Sequence, residues 1–228
     1  MLDASFTAKI DGFTLSAKFV LETSGVIAVI GPSGAGKSSL LNVLAGYSKT
    51  NQGHILWNGS PIHTQHPSLR PIAILFQDNN LFPHLTIQKN LALALTQWPW
   101  LSLQQKNLIR DTLASIGLSY VEDRLPSKLS GGQQSRAALA RVLLQKKPIL
   151  VLDEPFSALG PGLKDEMLDL LDYVTKKNNL FTLLVTHDPK DALRIAPRTI
   201  TVINGEVSGP ICTKIALNKE SGPLTKYL

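Results

Sequence analysis

Short, nearly unbroken apolar runs recur along the chain, and each ends on a polar or charged residue: Val26–Ile30, Ile72–Phe76, Ile149–Leu152 and Phe181–Val185. Runs of this kind, bounded by turn formers, predict strands buried on both faces. The segments between them are periodic in the helical sense. Ser39–Ala45 reads as one helix, stopped at Gly46. A second opens at Leu129-Ser130-Gly131-Gly132-Gln133, carries Ala137, Ala138, Leu139, Ala140, Val142, Leu143 and Leu144, and is stopped by Pro148. In a third, Leu163, Met167, Leu170, Leu171 and Val174 repeat on one face, with Lys164, Asp165, Asp169 and Asp172 on the other. Strands alternating with helices predict a mostly parallel α/β sheet.

Three stretches break this rhythm. Residues 4–20 alternate apolar and polar, which predicts two strands turned at Asp11-Gly12. His54–Trp57 followed by Asn58-Gly59 predicts another strand and tight turn, and Ile200–Ile203, Asn204-Gly205 and Glu206-Val207 predict a hairpin. A small antiparallel sheet packed beside the core accommodates the first two of these. From Thr86 to about Lys147 the pattern is helical, interrupted at Trp98-Pro99-Trp100. The expected organisation is one unit over 1–228: a core of 1–85 and 148–228 with the small β subdomain, and a helical insertion over 86–147.

Composition narrows the function only a little. The chain has 228 residues, 43% hydrophobic and 18% charged, enough for a sizeable core. No apolar run approaches the roughly 20 residues that span a bilayer, and the N-terminus lacks the basic-then-apolar pattern of a secretion signal. Cys212 is the single cysteine, which excludes an internal disulfide and fits a reducing compartment such as the cytosol. The net charge of +6 raises the question of nucleic acid. With no block of like charges and no basic helix stripe, no nucleic-acid partner is expected.

Candidate chemistry is concentrated at the ends of the apolar strands. After Val26–Ile30 comes Gly31-Pro32-Ser33-Gly34-Ala35-Gly36-Lys37-Ser38, then Ser39 and a helix. GxxxxGK[ST] between a strand and a helix is the phosphate-binding loop pattern. Its glycines let successive N–H groups point at phosphate oxygens, and the helix start adds positive field. Lys37 is placed to reach the β- and γ-phosphates, and the Ser38 hydroxyl to ligate Mg²⁺. Asp153, after the third run, suits the Mg²⁺ shell, and Glu154 suits a general base acting on water. Gln77, after the second run, can reach both the metal shell and that water. His187, after the fourth, can hydrogen-bond the γ-phosphate, although a lone histidine is as often structural. Open α/β sheets bind ligands at this edge, so the four positions should converge. The glycines after Ser130 form a second anion-receptive helix start, which makes sense if Ser130, Gly131, Gly132 and Gln133 face the nucleotide of a partner subunit.

Taken together and in this order, these motifs resemble the ATP-binding cassette of ABC transporters over essentially the whole chain. The resemblance implies a P-loop NTPase fold and assigns Gly31–Ser38 as Walker A, Gln77 as Q-loop, Leu129–Gln133 as signature, Ile149–Asp153 with Glu154 as Walker B, and His187 as switch histidine. It also implies ATP and Mg²⁺ as cofactors and two copies of the chain sandwiching two nucleotides. An integral-membrane permease would dock near Asn79–Thr86, with a solute-binding protein engaged indirectly. The place of work would be the cytoplasmic face of the inner membrane. The segments Leu75–Thr86, Glu154–Leu159 and Leu183–Asp188 look like bacterial thiamine importers. The first thirty residues look more like molybdate importers, whose additional C-terminal regulatory domain has no room in a tail ending at Leu228. Thiamine or its phosphates is the expected solute, with molybdate and ferric iron as alternatives. A DNA-repair or chromosome-associated ATPase would carry heptads or cysteine pairs between Ser38 and Leu129, and neither is present. Glu154 and His187 argue against a regulator that never hydrolyses. Two departures stand out: Gly160 occupies a position usually Asp in this family, and the usual adenine-stacking tyrosine is not evident. Phe13 is the best-placed aromatic for that stacking; the alternative is that it packs in the small sheet.

Overall fold

The computed structural model describes residues 1–225 apart from Asp11, Asn79, Gln97, Pro99 and Lys219. Two long strands open the chain, β1 (Leu2–Ile10) and β2 (Phe13–Leu21), followed by β3 (Gly25–Ile30) and helix α1 (Lys37–Ala45). Strands β4 (Gln52–Trp57), β5 (Ser60–Pro61) and β6 (Ile72–Leu75) come next, then helices α2 (Ile87–Ala92), α3 (Leu103–Ser115) and α4 (Gly131–Leu143). The remainder runs β7 (Ile149–Asp153), α5 (Pro161–Lys177), β8 (Phe181–Val185), α6 (Pro189–Ile195), β9 (Arg198–Ile203), β10 (Glu206–Cys212) and α7 (Thr213–Ala216).

Among the described residues, ten strands form one mixed sheet, ordered β5-β4-β1-β2-β10-β9-β3-β8-β7-β6. The apolar runs form its parallel part: β3 lies between β8 and β9, and β7 between β8 and β6, every pair parallel. The antiparallel strands do not stand apart as a second sheet. β2 is stitched to β10 by a short parallel pairing of Ser16-Ala17 with Glu206-Val207, so the sheet curls without a break. The Asp11 half of the Asp11-Gly12 turn lies outside the described residues, but Ile10 pairs with Phe13 across it. At Asn204-Gly205 both residues have positive φ, 49° and 82°, the geometry of a tight two-residue hairpin turn.

Burial follows from the curl. Alternate residues of β3 enter opposite cores: Val26, Ala28 and Ile30 face the layer containing α2 to α6, while Ile27 and Val29 face the layer containing α1. In that second layer Leu40, Leu41, Val43 and Leu44 of α1 pack with Leu2, Phe6, Leu15 and Phe19 of the antiparallel strands. Helix α1 is thus enclosed by the curled sheet. Its C-terminus is closed by Gly46 in the left-handed region and by the buried Arg70 guanidinium, which donates to the carbonyls of Val43 and Leu44, each at 2.7 Å. A Cβ on Gly46 would lie 2.5 Å from Arg70 Nε.

Several boundaries differ from the sequence pattern. Helix α1 begins at Lys37 rather than Ser39, and β6 stops at Leu75 rather than Phe76. Within 86–147, α2 ends at Ala92, well before Trp98; the Pro99 of that expected break lies outside the described residues. The chain tightens there through i→i−3 bonds from Ala94 N to Leu91 O and Leu95 N to Ala92 O. Leu163, expected on the core face of α5, is 45% exposed and lies over Gly132 instead. Conversely, Lys164, expected on the solvated face, is turned inward toward α6.

Candidate functional site

Because β3, β8, β7 and β6 are adjacent and parallel, their C-terminal ends share one edge of the sheet. The turn after β3 is shaped by its glycines. A Cβ on Gly31 would lie 1.9 Å from the carbonyl oxygen of Val202 on β9, so only glycine passes. Gly34 and Gly36 have φ of 76° and 104°, a region that β-carbon-bearing residues enter at a cost of about 1 kcal/mol or more. Gly36 is the residue before α1, and neither a side-chain cap nor a first-turn acid covers that helix start. Its N–H groups therefore present uncompensated positive field to the loop. Lys37 is buried, and its Nζ donates to the carbonyls of Gly31 and Pro32, both at 2.9 Å. Burial lowers the Lys37 pKa, against the opposing pull of Glu154 and Asp153.

Asp153 ends β7, where the Ser38 hydroxyl is near enough to act on its ionisation. Burial raises its pKa, Ser38 opposes the rise, the Glu154 charge adds to it and Lys37 opposes it. The hydroxyl, carboxylate and amide oxygens of Ser38, Asp153 and Gln77 are the hard donors Mg²⁺ takes. Among the described residues no group of three or more His, Cys, Asp or Glu could hold a metal ion. A cation here would thus complete its shell with phosphate and water oxygens. Gln77 is exposed, two residues past the end of β6.

Glu154 leaves the sheet with φ of 45°, its N–H bonded to Val185 O of β8 at 3.2 Å. That turn sets its Oε2 3.0 Å from His187 Nδ1. A carboxylate only accepts, so Nδ1 carries the proton and Nε2 is left to a substrate. Three stretches far apart in sequence thereby meet: Ser38 lies near Asp153, and the neighbouring Glu154 bonds His187.

Ser130, Gly131, Gly132 and Gln133 sit at the start of α4, which packs on α2, α3 and α5. Ser130 Oγ accepts from Gln133 N at 3.3 Å, and Gln133 Oε1 from Ser130 N at 3.0 Å, a closed capping box. Gly131 is exposed, and a Cβ there would only touch Leu159 Cδ2 at 3.6 Å. The ring of Phe13 is half-buried against the phosphate loop, 2.8 Å from where a Cβ on Gly36 would lie.

Past Gln77, a groove of about 570 Å³ is lined by Tyr47, Phe76, Phe82, Leu93 and Arg141 among others. The loop beside it is pinned by Asn90, which is fully buried. Its side-chain oxygen accepts from Phe82 N at 2.7 Å, and its amide donates to the carbonyls of Phe82, Leu85 and Thr86 at 3.0–3.1 Å. Asn79, the first residue of the expected docking stretch, lies outside the described residues.

The sequence pattern alone did not single out Lys164, Thr186, Asp188, Asp191 or Arg70. A lysine among aspartates on a helix face carries the signal of a solvated surface, and only the packing of α5 on α6 reverses it.

Known proteins of similar sequence and structure indicate the family. Residues 15–157 match the family described as ABC transporter. The chain is 46% identical over 216 residues to the thiamine import ATP-binding protein ThiQ of Ruegeria sp. (strain TM1040), covering 95% of this chain and 94% of that protein. It is 48% identical over 181 residues to ThiQ of Yersinia pseudotuberculosis serotype I (strain IP32953), covering 79% and 77%. Among solved structures, MJ0796, a bacterial ABC transporter cassette determined as a dimer, superposes with a TM-score of 0.78 at 25% identity, covering 93% of this chain and 99% of that one. CbiO1 from Clostridium perfringens, part of the ABC transporter complex cbiONQ, gives the same TM-score and identity over 93% and 88%.

Proposed function

The chain belongs to the ABC transporter family, and from that premise we propose that it is the ATP-hydrolysing subunit of a thiamine importer, with Mg·ATP as its substrate. The observation that carries the reading is the sheet edge itself, where Glu154 meets His187 at 3.0 Å beside Asp153 and the Lys37 loop. The loop 31–38 with Ser39 binds the phosphates, and Lys37 exchanges its bonds to Gly31 and Pro32 for phosphate oxygens. Ser38, Gln77 and Asp153 would hold Mg²⁺, which would supply charge neutralisation at the phosphates. Glu154 takes a proton from the attacking water, and His187 holds Glu154 in place while its Nε2 addresses the γ-phosphate. Phe13 supplies an apolar edge for the base.

Ser130, Gly131, Gly132 and Gln133 serve the nucleotide of a second copy. In support, Gly131 is exposed and nothing within its own chain requires a glycine there. The groove beside Phe82 receives a short cytoplasmic helix of the permease, with residues 86–147 as a helical subdomain that moves against the core. A peripheral place on the cytoplasmic face of the inner membrane follows from that docking. Among the described residues no helix is long and apolar enough to cross a membrane.

The test is reconstitution with the permease and solute-binding protein in liposomes. ATP-driven uptake of labelled thiamine is expected, unaffected by molybdate or ferric iron. ATP consumption without thiamine uptake would overturn the solute, and no ATP consumption would overturn the ATPase reading.

A further inference from the structure

We propose that Lys164 is a positioning residue for His187, holding the turn that carries the histidine in register with Glu154. The inference rests on the ATPase reading above and names a residue that it leaves unassigned.

His187 is poorly held by its own contacts. Its side chain is 62% exposed, and Glu154 Oε2 at 3.0 Å is the contact that fixes its ring. Its place is therefore decided by the residues on either side, and both are tied into one network. Thr186 Oγ1 donates to Asp191 Oδ2 at 2.6 Å and accepts from Asp188 N at 3.0 Å. Asp188 Oδ1 in turn accepts from Lys190 N at 2.9 Å, capping the start of α6. The two carboxylates of this network share one ammonium: Lys164 Nζ lies 3.0 Å from Asp188 Oδ2 and 2.8 Å from Asp191 Oδ1.

Side-chain exposures are 17% for Lys164 and 9% for Asp191, and 33% for Asp188, so the Lys164–Asp191 pair is the shielded one. At that depth Asp191 needs a cation, because an uncompensated buried charge is far more costly than a paired one. Removing the ammonium leaves the Asp188 and Asp191 carboxylates repelling each other beside Thr186, in the turn that directly follows the histidine. Burial acts to lower the Lys164 pKa, but hydrogen bonds and charge from Asp191 and Asp188 outweigh it and raise it.

Lys164 also reaches this turn from the catalytic side. Its backbone N–H bonds Gly160 O at 2.9 Å in the first turn of α5, directly after the segment that leads from Glu154. Its backbone thus belongs to the helix that follows the Glu154 exit, while its side chain reaches the turn that carries His187.

An ordinary staple between α5 and α6 would share these contacts, so the experiment separates the two roles. In the full-length protein, Lys164→Met is expected to lower kcat about tenfold while KM for ATP changes less than twofold. Lys164→Arg should restore at least half the rate. In a His187→Ala background, Lys164→Met should cost less than a further twofold in single-turnover hydrolysis, because both changes act on one contact. The His187 imidazole ¹⁵N and ¹H signals should shift on Lys164→Met and return on Lys164→Arg. A full tenfold further loss in the His187→Ala background, or unmoved imidazole signals, would make Lys164 a fold staple and overturn the proposal. Asp188→Asn, a milder cut into the same network, should move the ring signals in the same direction if Lys164→Met does not fold. A wild-type chain without ATPase activity would overturn the parent reading alone, since the imidazole spectrum still decides for Lys164.

Discussion

Helix α1 starts on Gly36 in a left-handed conformation with no side chain over its first turn, whereas α4 starts on Ser130 inside a closed capping box. Both starts are glycine-rich, and both read in sequence as anion-receptive. They differ in what the chain itself has already satisfied. At α1 the first-turn N–H groups and a folded-back lysine remain available to a ligand, at a standing cost in strain and burial. At α4 the serine and glutamine answer each other, and the start is stable as it stands. The difference teaches that two glycine-rich helix starts can be left in opposite states: α1 keeps its first-turn donors open, while α4 answers its own with Ser130 and Gln133.

The largest expected effect lies on the α1 side. Glu154→Gln should retain ATP binding and lose turnover by at least about 100-fold, since general-base catalysis contributes on that order. Single-turnover hydrolysis alongside nucleotide titration checks it; normal turnover would remove Glu154 as the base. Lys37→Ala should weaken ATP binding by roughly 100-fold, the loss of a charge-assisted phosphate contact worth about 3 kcal/mol. Its apo stability should barely change, because a desolvated ammonium leaves together with its two hydrogen bonds. A stability loss matching the affinity loss would mean that the lysine is structural and the contrast with α4 false.

The glycines sharpen the contrast further. Gly36→Ala meets both a φ of 104° and the Phe13 ring at 2.8 Å, and is expected to cost about 2–3 kcal/mol in urea unfolding. Gly131→Ala meets only Leu159 at 3.6 Å and should stay within about 0.5 kcal/mol of wild type. Its turnover should nevertheless fall about tenfold (on the order of 1.4 kcal/mol in transition-state terms) as the added methyl obstructs the partner's nucleotide. Unchanged turnover would break the idea that this face is shared.

The smallest effect concerns pH. Burial raises the Asp153 pKa above its ordinary 3.8, so ionising the carboxyl weakens the folded apo chain. The associated stability is fully present below about pH 3.8 and is lost as pH rises through the raised value. Asp153→Asn should therefore be more stable than wild type near neutral pH by about 0.5–1 kcal/mol, with the gain vanishing in acid, as thermal melts across pH would show. A destabilised variant at neutral pH would mean that the attraction to Lys37 outweighs burial.

Much of the site was legible because it is written locally. Gly31–Ser38, Asp153-Glu154 and His187 each follow an apolar run whose length and bounds mark a buried strand, and parallel strands deliver their ends to one edge. The misreadings share a cause. Lys164 looked solvated and Leu163 buried because periodicity assigns helix faces without knowing which neighbour covers each one. Arg70 carried no signal, since capping a helix that ends at Ala45 depends on a contact far along the chain.

What the sequence determined by itself was therefore the set of strands and turns and the chemistry at their ends, because backbone freedom at glycine and burial of short apolar runs are local properties. Tertiary structure alone decided that the antiparallel strands continue the core sheet through β10, that Phe13 lies against the phosphate loop, and that Lys164 braces the His187 turn. Those outcomes depend on long-range packing, in which a side chain's role is set by what the rest of the chain places beside it.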